Sequence, residues 1–270
     1  MRYEEFLPAA ALRRWIQCYW FLHADHSEIA PEPVLPDGSF ELVFQLGDPF
    51  STVVDGKERR QSPAVLVSEM RGPVVVSPSG RAHSVGIRFR PGGAYPFFRQ
   101  PLHEIVDAVH PLDDLWGSRA MGVRSGLGEL FSNRDRARYL DRELLPLLHG
   151  TDDGFDRIME VLRRRRGQVR VDSLARLSGI SSRQLERRFV NATGASPKFF
   201  LRLLRFRFVV QAMQSSPQDW LDAAMAQGFY DQPHLVNEFR SFSGMTPGRF
   251  LANEFPLNVA FFQDSSSEGV

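Results

Sequence analysis

The chain has a single cysteine, no long apolar run and almost no net charge, and each scarcity argues against a class of protein. Cys18 alone cannot form an internal disulfide, which argues against a disulfide-rich secreted domain and fits a reducing cytoplasm. No stretch of about 18 apolar residues occurs, so we predict no membrane span. The first residues, MRYEEFLPAA, contain two glutamates and no apolar run, unlike a secretory signal. We therefore expect a cytoplasmic protein.

The sequence also lacks the residue clusters that metal binding and catalysis require. His23, His26 and His83 are scattered and have no accompanying group of carboxylates, so we predict no metal site. Cys18 lies in an aromatic segment, which is typical of a buried small hydrophobe rather than of a nucleophile. No glycine-rich phosphate-binding loop is present. We expect neither a cofactor nor enzymatic activity.

A net charge of +1 conceals a strong division of charge along the chain. Residues 155–255 contain 16 of the 33 basic side chains and 9 of the 32 acidic ones, which gives this region a net charge of +7. The remaining 17 basic and 23 acidic residues give the rest of the chain −6. This asymmetry indicates that the basic region faces nucleic acid, although a solvated basic surface would have the same composition.

The first 110 residues or so have the pattern of short β-strands. In residues 40–46, FELVFQL, and again in residues 85–90, apolar side chains alternate with other residues, as in strands with one buried face. Turn sequences with glycine occur at 36–38, 55–56 and 78–80. We predict a small antiparallel barrel or sandwich.

From about residue 94 the pattern changes to that of helices. Ser132 is placed to cap a helix that carries a leucine stripe, formed by Leu140, Leu144 and Leu148. The stripe either forms a subunit contact in a homodimer or packs within its own domain.

A linker is predicted at GTDDG, residues 150–154, where charge and periodicity both change. It separates a β-rich sensor or dimerisation domain, residues 1–150, from an all-α domain, residues 151–258. A flexible tail, residues 259–270, follows. The predicted fold class is α+β, with two helix-turn-helix units joined by a long helix in the second domain.

An internal repeat is the strongest signal in the sequence. Five residues recur fifty positions later: Leu185, Phe189, Gly194, Pro197 and Phe200 become Leu235, Phe239, Gly244, Pro247 and Phe250. Upstream, Ala175 and Gly179 recur as Ala224 and Gly228 at an offset of 49, so the second copy has one extra residue in its turn.

Each copy has the residues of a helix-turn-helix unit. Gly179 and Gly228 are placed to end the first helices, because glycine adopts the left-handed backbone of a helix end. Ser181 and Asp231 are placed to cap the second helices, and Ser181 with Gln184 matches a capping box. A hairpin that packs only against itself would also repeat, but two capped copies in the basic region favour DNA binding.

The second helix of such a unit enters the major groove, so its exposed side chains are the candidates for DNA contact. These candidates are Ser182, Arg183, Glu186 and Arg187 in the first copy and Gln232, His234, Asn237 and Arg240 in the second.

The two copies resemble the DNA-binding units of AraC/XylS-type transcription regulators. ISSRQLERRFVNATGASPKFFLRLLR is similar to the first unit, GFYDQPHLVNEFRSFSGMTPGRFL is similar to the second, and the likeness covers about residues 155–253. The resemblance implies a seven-helix domain. In it a central helix, residues 197–214, holds both recognition helices on one face of DNA.

The resemblance also assigns roles to single positions. Arg183, Glu186 and Arg187 fall on base-facing positions of the first recognition helix, and Pro233 and Asn237 fall on the corresponding positions of the second. Proline has no hydrogen-bonding side chain, which favours a second unit that positions the protein through contacts with the DNA backbone.

The N-terminal half resembles, less specifically, a sensor-type domain found ahead of such DNA-binding units. LPDGSFELVFQLGD, GIRFRPGGAYPFF and HPLDDLWG carry this likeness. It implies no particular ligand.

Arginines outside the recognition helices have two interpretations. The run 163–166 either contacts DNA phosphates or forms a solvated helix end that the helix dipole favours. Arg202, Arg205 and Arg207 in the central helix are expected to divide between surface ion pairs and phosphate contacts.

These patterns together predict a sequence-specific DNA-binding transcription regulator whose N-terminal domain senses an unknown signal, mediates dimerisation or does both. The expected partners are double-stranded DNA, RNA polymerase, a small-molecule effector and a second copy of the chain. Two alternatives remain open: an N-terminal enzyme fused to a DNA-binding domain, and a ligand-free dimerisation scaffold. An apolar pocket with few polar groups would favour sensing over catalysis, and a filled interior would favour the scaffold.

Overall fold

The computed structural model describes residues 1–25, 30–54, 57–253, 255 and 257–258. The predicted turn at 55–56, His26 and the predicted flexible tail, residues 259–270, therefore lie outside the described residues.

Two antiparallel sheets form the N-terminal domain, so of the predicted barrel or sandwich the structure has the sandwich. The strands are β1 Arg2–Phe6, β2 Ile16–Ala24, β3 Glu32–Val34, β4 Glu41–Gln45, β5 Ser51–Val54, β6 Lys57–Arg60, β7 Ala64–Val67, β8 Val74–Ser77, β9 Ala82–Phe89 and β10 Val109–Pro111. The large sheet has the order β1-β2-β9-β4-β7-β10, and the small sheet has the order β3-β8-β5-β6.

Helices pack on the outer face of the large sheet. They are α1 Asp113–Trp116, α2 Ser118–Glu129 and α3 Asn133–Leu144, with short 3-10 helices at Tyr95–Phe97, Leu102–Ile105 and Leu145–Leu147. Ser132 caps α3 as predicted, since its hydroxyl accepts a hydrogen bond from the Asp135 N–H at 3.1 Å. Leu140 and Leu144 are buried in the core beneath these helices. The leucine stripe therefore packs within the domain and is not a free subunit contact.

The large sheet is buried on both faces, whereas the alternating sequence predicted one solvated face. On one face Leu42 and Ile87 pack with α2 and α3. On the other face Val43 and Trp20 pack toward the small sheet. The alternation correctly marks the strands, but the small sheet covers the face that the sequence alone would leave in water.

The C-terminal domain is helical. Its described helices are α4 Asp153–Arg164, α5 Val171–Leu177, α6 Ser182–Thr193, α7 Pro197–Ser215, α8 Trp220–Met225, α9 Gln232–Ser243 and α10 Pro247–Leu251. These seven agree with the seven-helix domain that the family resemblance implies. None of the described helices combines the length and the apolar content that crossing a membrane requires.

The two domains touch through α4, which begins inside the predicted linker. Asp156 on this helix accepts hydrogen bonds from Trp15 Nε1 at 3.2 Å and Tyr95 Oη at 3.0 Å, and it pairs with Arg14 Nε at 2.9 Å. Burial raises the pKa of the Asp156 carboxyl, although all three partners act to lower it. The domains are thus joined by a specific, largely enclosed polar contact.

Candidate nucleic-acid interface

Two helix-turn-helix units form in the C-terminal domain, α5 with α6 and α8 with α9. Gly179 and Gly228 lie in the two turns with φ of 63° and 84°, the left-handed backbone predicted for them. A Cβ at either position would meet no described atom within 4 Å, so the requirement for glycine is conformational and not steric. From the turn glycine to the cap, the second turn is longer by one residue, Gly228 to Asp231 compared with Gly179 to Ser181, in line with the extra residue in the sequence.

Both second helices, α6 and α9, begin at the predicted caps; we call them the first and second reading helices. The Ser181 hydroxyl accepts a hydrogen bond from the Gln184 N–H at 3.2 Å, and the Gln184 side chain accepts one from the Ser181 N–H at 2.9 Å, which completes the capping box. Asp231 accepts a hydrogen bond from the His234 N–H at 2.8 Å. Each cap satisfies backbone donors that the first helical turn leaves unpaired.

The repeat extends to the ends of the reading helices. The Thr193 hydroxyl donates to the Phe189 carbonyl at 2.9 Å, and the Ser243 hydroxyl donates to the Phe239 carbonyl at 2.7 Å. Each hydroxyl also accepts a backbone N–H two residues later at 3.2 Å. The same local bonds therefore fix the C-terminal end of each reading helix.

The joining helix α7 packs one reading helix against each of its halves. Phe189 of the first reading helix lies 5.9 Å from Phe200, and Phe239 of the second lies 5.3 Å from Phe206, measured between ring centroids. All four rings are buried. A helix of 19 residues with fixed contacts at both ends holds the two reading helices in one relative orientation.

All four residues predicted for DNA contact on the first reading helix are exposed: Ser182, Arg183, Glu186 and Arg187. Among the described residues these side chains have no hydrogen-bond or ion-pair partner. The neighbouring Arg188 differs, because it pairs with Asp152 at 3.4 Å. Two free guanidinium groups one helical turn apart match the donor pattern that recognises guanine O6 and N7.

The second reading helix presents a different surface. Gln232, Asn237 and Arg240 are exposed, as predicted. His234 is half-buried; its Nδ1 accepts a hydrogen bond from the Tyr230 N–H at 3.3 Å, and its ring lies against Phe229. The structure therefore places His234 in the framework of the turn, and Gln232, Asn237 and Arg240 remain on the open surface.

One exposed residue escaped the sequence-based selection. Tyr230 is 90% exposed and directly precedes the cap Asp231. It lies within the turn that carries the extra residue of the second copy, and that insertion is the sequence signal that could have found it. Its aromatic side chain is open to solvent.

Three arginines of α7 make contacts with other residues of the protein. Arg202 makes two hydrogen bonds of 2.8 Å to Glu238 of the second reading helix, and Arg205 stacks over the Phe229 ring at 5.8 Å. Arg207 is buried, with Asp37 of the N-terminal domain 3.9 Å away. The expectation that some of these residues contact phosphate is wrong for Arg207, because its burial keeps it from DNA.

The arginine run at the end of α4 is also partly engaged. Arg163 and Arg164 pair with Glu160 at 3.0 and 2.7 Å, and Arg166 stacks over the Phe208 ring at 4.4 Å. These contacts favour the interpretation of the run as a solvated helix end over that of a phosphate-binding patch.

A second candidate site is a cavity of about 110 Å³ between the two sheets. Most of its wall is aliphatic or aromatic, and its lining includes Leu22, Val43, Phe50, Val76 and Leu257. The sequence did not predict it, because it exists only where the two sheets meet.

A buried ion pair supplies the charged part of the cavity wall. Arg88 donates from Nε to Glu41 Oε1 at 2.6 Å and pairs with it a second time, and Trp20 Nε1 donates to Glu41 Oε2 at 3.1 Å. Burial raises the pKa of Glu41, against the opposing effect of Arg88. Gly86 makes room for this cluster, since a Cβ there would lie 1.9 Å from the Trp20 ring.

Two helix-turn-helix units with capped reading helices on one rigid joining helix define a double helix-turn-helix domain. Comparison with known proteins agrees with this geometry. Residues 174–253 match the family described as "Helix-turn-helix domain", and residues 4–111 match a "Domain of unknown function (DUF6597)". The resemblance to AraC/XylS-type regulators is confirmed: the chain carries an AraC-type helix-turn-helix domain behind a DUF6597 domain.

Two curated relatives are transcription factors. The chain is 26% identical over 112 residues to the HTH-type transcriptional regulator MtrA of Neisseria gonorrhoeae, a match that covers 41% of this chain and 37% of MtrA. It is 26% identical over 95 residues to the probable transcription factor PqrA of Proteus vulgaris, covering 35% of this chain and 78% of PqrA. The chain thus spans little more than a third of the length of MtrA.

Among solved structures, ToxT from Vibrio cholerae has a similar overall fold. The TM-score is 0.50 at 9% sequence identity, and the match covers 86% of this chain and 98% of ToxT. At this identity the likeness concerns the fold alone, an antiparallel β domain followed by a helical domain.

Proposed function

We propose that the chain is a sequence-specific regulator of transcription that binds double-stranded DNA with both reading helices. The observation that carries the proposal is the pair of capped reading helices, held by α7. Most of the side chains predicted for DNA contact on these helices are exposed and lack partners among the described residues. A buried or ion-paired surface would not suit DNA, whereas free arginine, glutamine and asparagine groups can reach base edges and phosphates.

The two units divide the work in this proposal. Arg183, Glu186 and Arg187 read base edges in one major-groove segment. The second unit, with Pro233 at its start and Arg240 exposed, mainly positions the protein on the DNA backbone.

The N-terminal domain responds to a small molecule held between its two sheets. An apolar cavity with a few buried polar groups is typical of a ligand site, and a dimerisation scaffold would have a filled interior. We favour a sensor over an enzyme because the curated relatives with known roles are transcription factors. Acting on DNA, the protein would work in the cytoplasm.

Protein partners belong to the same proposal: RNA polymerase and a second copy of the chain. The buried leucine stripe cannot supply the dimer contact, but Phe131, in the loop before α3, is fully exposed. Sedimentation of the full chain and of Phe131→Ser at micromolar concentration measures whether a dimer forms and whether it depends on Phe131. A dimer that persists in the variant would remove Phe131 from the interface.

Mapping of bound genomic DNA, followed by affinity measurement on one mapped site at increasing salt, tests the central proposal. We expect a steep loss of affinity with salt, because phosphate contacts release counterions. A folded protein with no salt-sensitive affinity for any DNA would overturn it. When Arg183 or Arg187 is replaced by Ala in this assay, the same measurement on Arg138→Ala, an exposed arginine of α3, controls for the loss of one positive charge.

A further inference from the structure

The end of the described chain returns to the N-terminal domain. Asn258 is fully buried there: its Oδ1 accepts a hydrogen bond from the Leu35 N–H at 3.0 Å, and its Nδ2 donates to the Pro33 carbonyl at 2.6 Å. Its backbone N–H donates to Glu32 Oε1 at 3.1 Å. A residue that follows the second helix-turn-helix unit is therefore bound to β3 and the segment after it.

Leu257, next to it, is part of the cavity wall. It is 3% exposed and packs with Trp20, Leu22, Val43 and Phe50 of the N-terminal domain. One apolar side chain of the C-terminal segment thus fills space between the sheets.

The cavity also shares a wall with the second helix-turn-helix unit. We call this wall, residues 34–39, the strap. Most of its residues line the cavity. Leu35 of the strap packs in the same core as Leu235 and Phe239 of the second reading helix. Gly38 lies against the Leu203 and Phe200 side chains, at 3.5 Å from where a Cβ would be. A change in the cavity is therefore one layer away from the second unit.

The chemistry of the wall defines the class of ligand. Arg88 and Glu41 neutralise each other, and Asp37, the third charged residue of the wall, faces Arg207 at 3.9 Å. An ionised ligand would therefore bury a charge without a counter-charge. The hydroxyls of Ser39 and Ser84 are buried, line the cavity and have no hydrogen-bond partner among the described residues. An engineered apolar cavity of about 150 Å³ holds benzene. The fitting ligand is a small uncharged molecule with an apolar ring or chain and one hydrogen-bonding group.

We propose that Leu257 and Asn258 form a plug, in which Leu257 occupies part of this site and Asn258 anchors it to residues 33–35, and that a small uncharged apolar ligand binds by displacing them, which loosens the second helix-turn-helix unit from the N-terminal domain. This inference rests on the proposed regulatory function, since it describes how a ligand in the cavity would affect the DNA-binding domain. When Leu257 leaves the cavity, Asn258 moves away from the strap with it. The Leu35 N–H then loses its hydrogen-bond acceptor.

The experiment uses the full chain with indole, an uncharged ring with one N–H donor, as the probe. Amide hydrogen exchange at Leu35 is measured with and without saturating indole. Displacement of the plug predicts faster exchange at Leu35, because its acceptor on Asn258 departs. A ligand that only fills empty space beside Leu257 would leave Leu35 exchange unchanged or slower, and that result would overturn the proposal. No binding of indole at millimolar concentration would also overturn it for this ligand class.

A matched pair of asparagine variants sharpens the test. Asn258→Ala removes the side-chain bonds to Leu35 and Pro33 without enlarging the cavity, because Asn258 does not line it. Weakening the plug should tighten indole binding by about tenfold, since less of the protein is then in the closed state. Asn253→Ala, an exposed asparagine of the same segment, should leave indole affinity unchanged. Equal indole affinity in a folded Asn258→Ala protein and the wild type would contradict the plug.

Failure of the plug and failure of the proposed function have different signatures. DNA footprinting of the wild type with and without indole should show loss of protection at the segment bound by the second unit, with the first retained. If the wild type protects no specific DNA at all, the proposed function fails while the exchange at Leu35 still decides the plug. If DNA protection is normal and indole binds without changing it, the plug is refuted and the DNA-binding function stands.

Discussion

The two helix-turn-helix units share one sequence pattern and the same caps, yet they are embedded differently. The first reading helix leaves Arg183, Glu186 and Arg187 without partners among the described residues. In the second, Glu238 is bound by Arg202 of the joining helix and His234 is held by its own turn. The repeat thus conserves the framework of the unit and varies what faces outward.

The difference extends to the N-terminal domain. The first unit meets it where Gly194 caps the reading helix, since a Cβ there would lie 2.0 Å from a Val106 methyl group. The second unit takes Leu35 of the N-terminal domain into its own core. The two copies therefore differ in their contact with the N-terminal domain, and in our proposal the first serves recognition while the second is the contact that a sensor domain controls.

The largest expected effect is on stability, and it distinguishes the buried core of each unit from its exposed face. Leu185→Asp and Leu235→Asp each place a charge in the small core of one unit, which should destabilise that unit by more than about 4 kcal/mol. Leu177→Asp, at a position that is 75% exposed, is the control and should be neutral. Hydrogen exchange of each reading helix measures the effect. Retained protection of α6 in Leu185→Asp would contradict the core assignment.

The spacing between the units gives the next effect. The 19 residues of α7 span about 28 Å as a helix, so the two reading helices should enter major-groove segments about one turn, roughly 34–36 Å, apart. We expect an asymmetric site for one protomer. Inserting about 5 bp between the segments rotates one to the opposite face and should lower affinity toward the nonspecific level, about a thousandfold or more. Full affinity after insertion would mean that only one unit reads DNA.

Single side chains should show the division of labour. Arg183→Ala and Arg187→Ala should each cost about 1–3 kcal/mol, at one or two base positions. Asn237→Ala in the second unit should cost less and act on all sequences alike. Binding to a library of single-base variants measures both. If the arginine variants weaken every sequence equally, they contact phosphate only.

The smallest effect concerns pH. Burial raises the pKa of Glu32 from 4.5 to about 7, although the Asn258 and Leu257 N–H groups act to lower it. We expect release of the C-terminal segment to expose this carboxyl to water, so that the docked state binds a proton that the released state loses. Docking should be strongest below about pH 4.5 and weaken as pH rises through 7, by at most about tenfold per pH unit. The Asn258 side-chain amide resonances report docking, and Glu32→Gln should remove the pH dependence. The same pH dependence in the glutamine variant would assign the effect to another group.

Much of the C-terminal domain was predictable because its signals are local. Ser181, Asp231 and the turn glycines act on backbone groups within four residues, so their roles follow from sequence spacing alone. The outward faces of both reading helices follow from the helical period, with His234 as the exception. Its ring contacts Phe229 and the Tyr230 N–H, a turn geometry that the period does not encode.

The sequence by itself determined the two-domain order, the capped repeats and, His234 excepted, the exposure of the side chains predicted for DNA contact, because each depends on neighbours close in the chain. Only the tertiary structure decided the cavity, the Arg88–Glu41 pair and the docking of Asn258. These join residues as far as 226 positions apart, through the covering of one sheet by another. The alternation of residues in a strand indicates which side chains share a face. What covers that face depends on how distant segments of the chain pack against it.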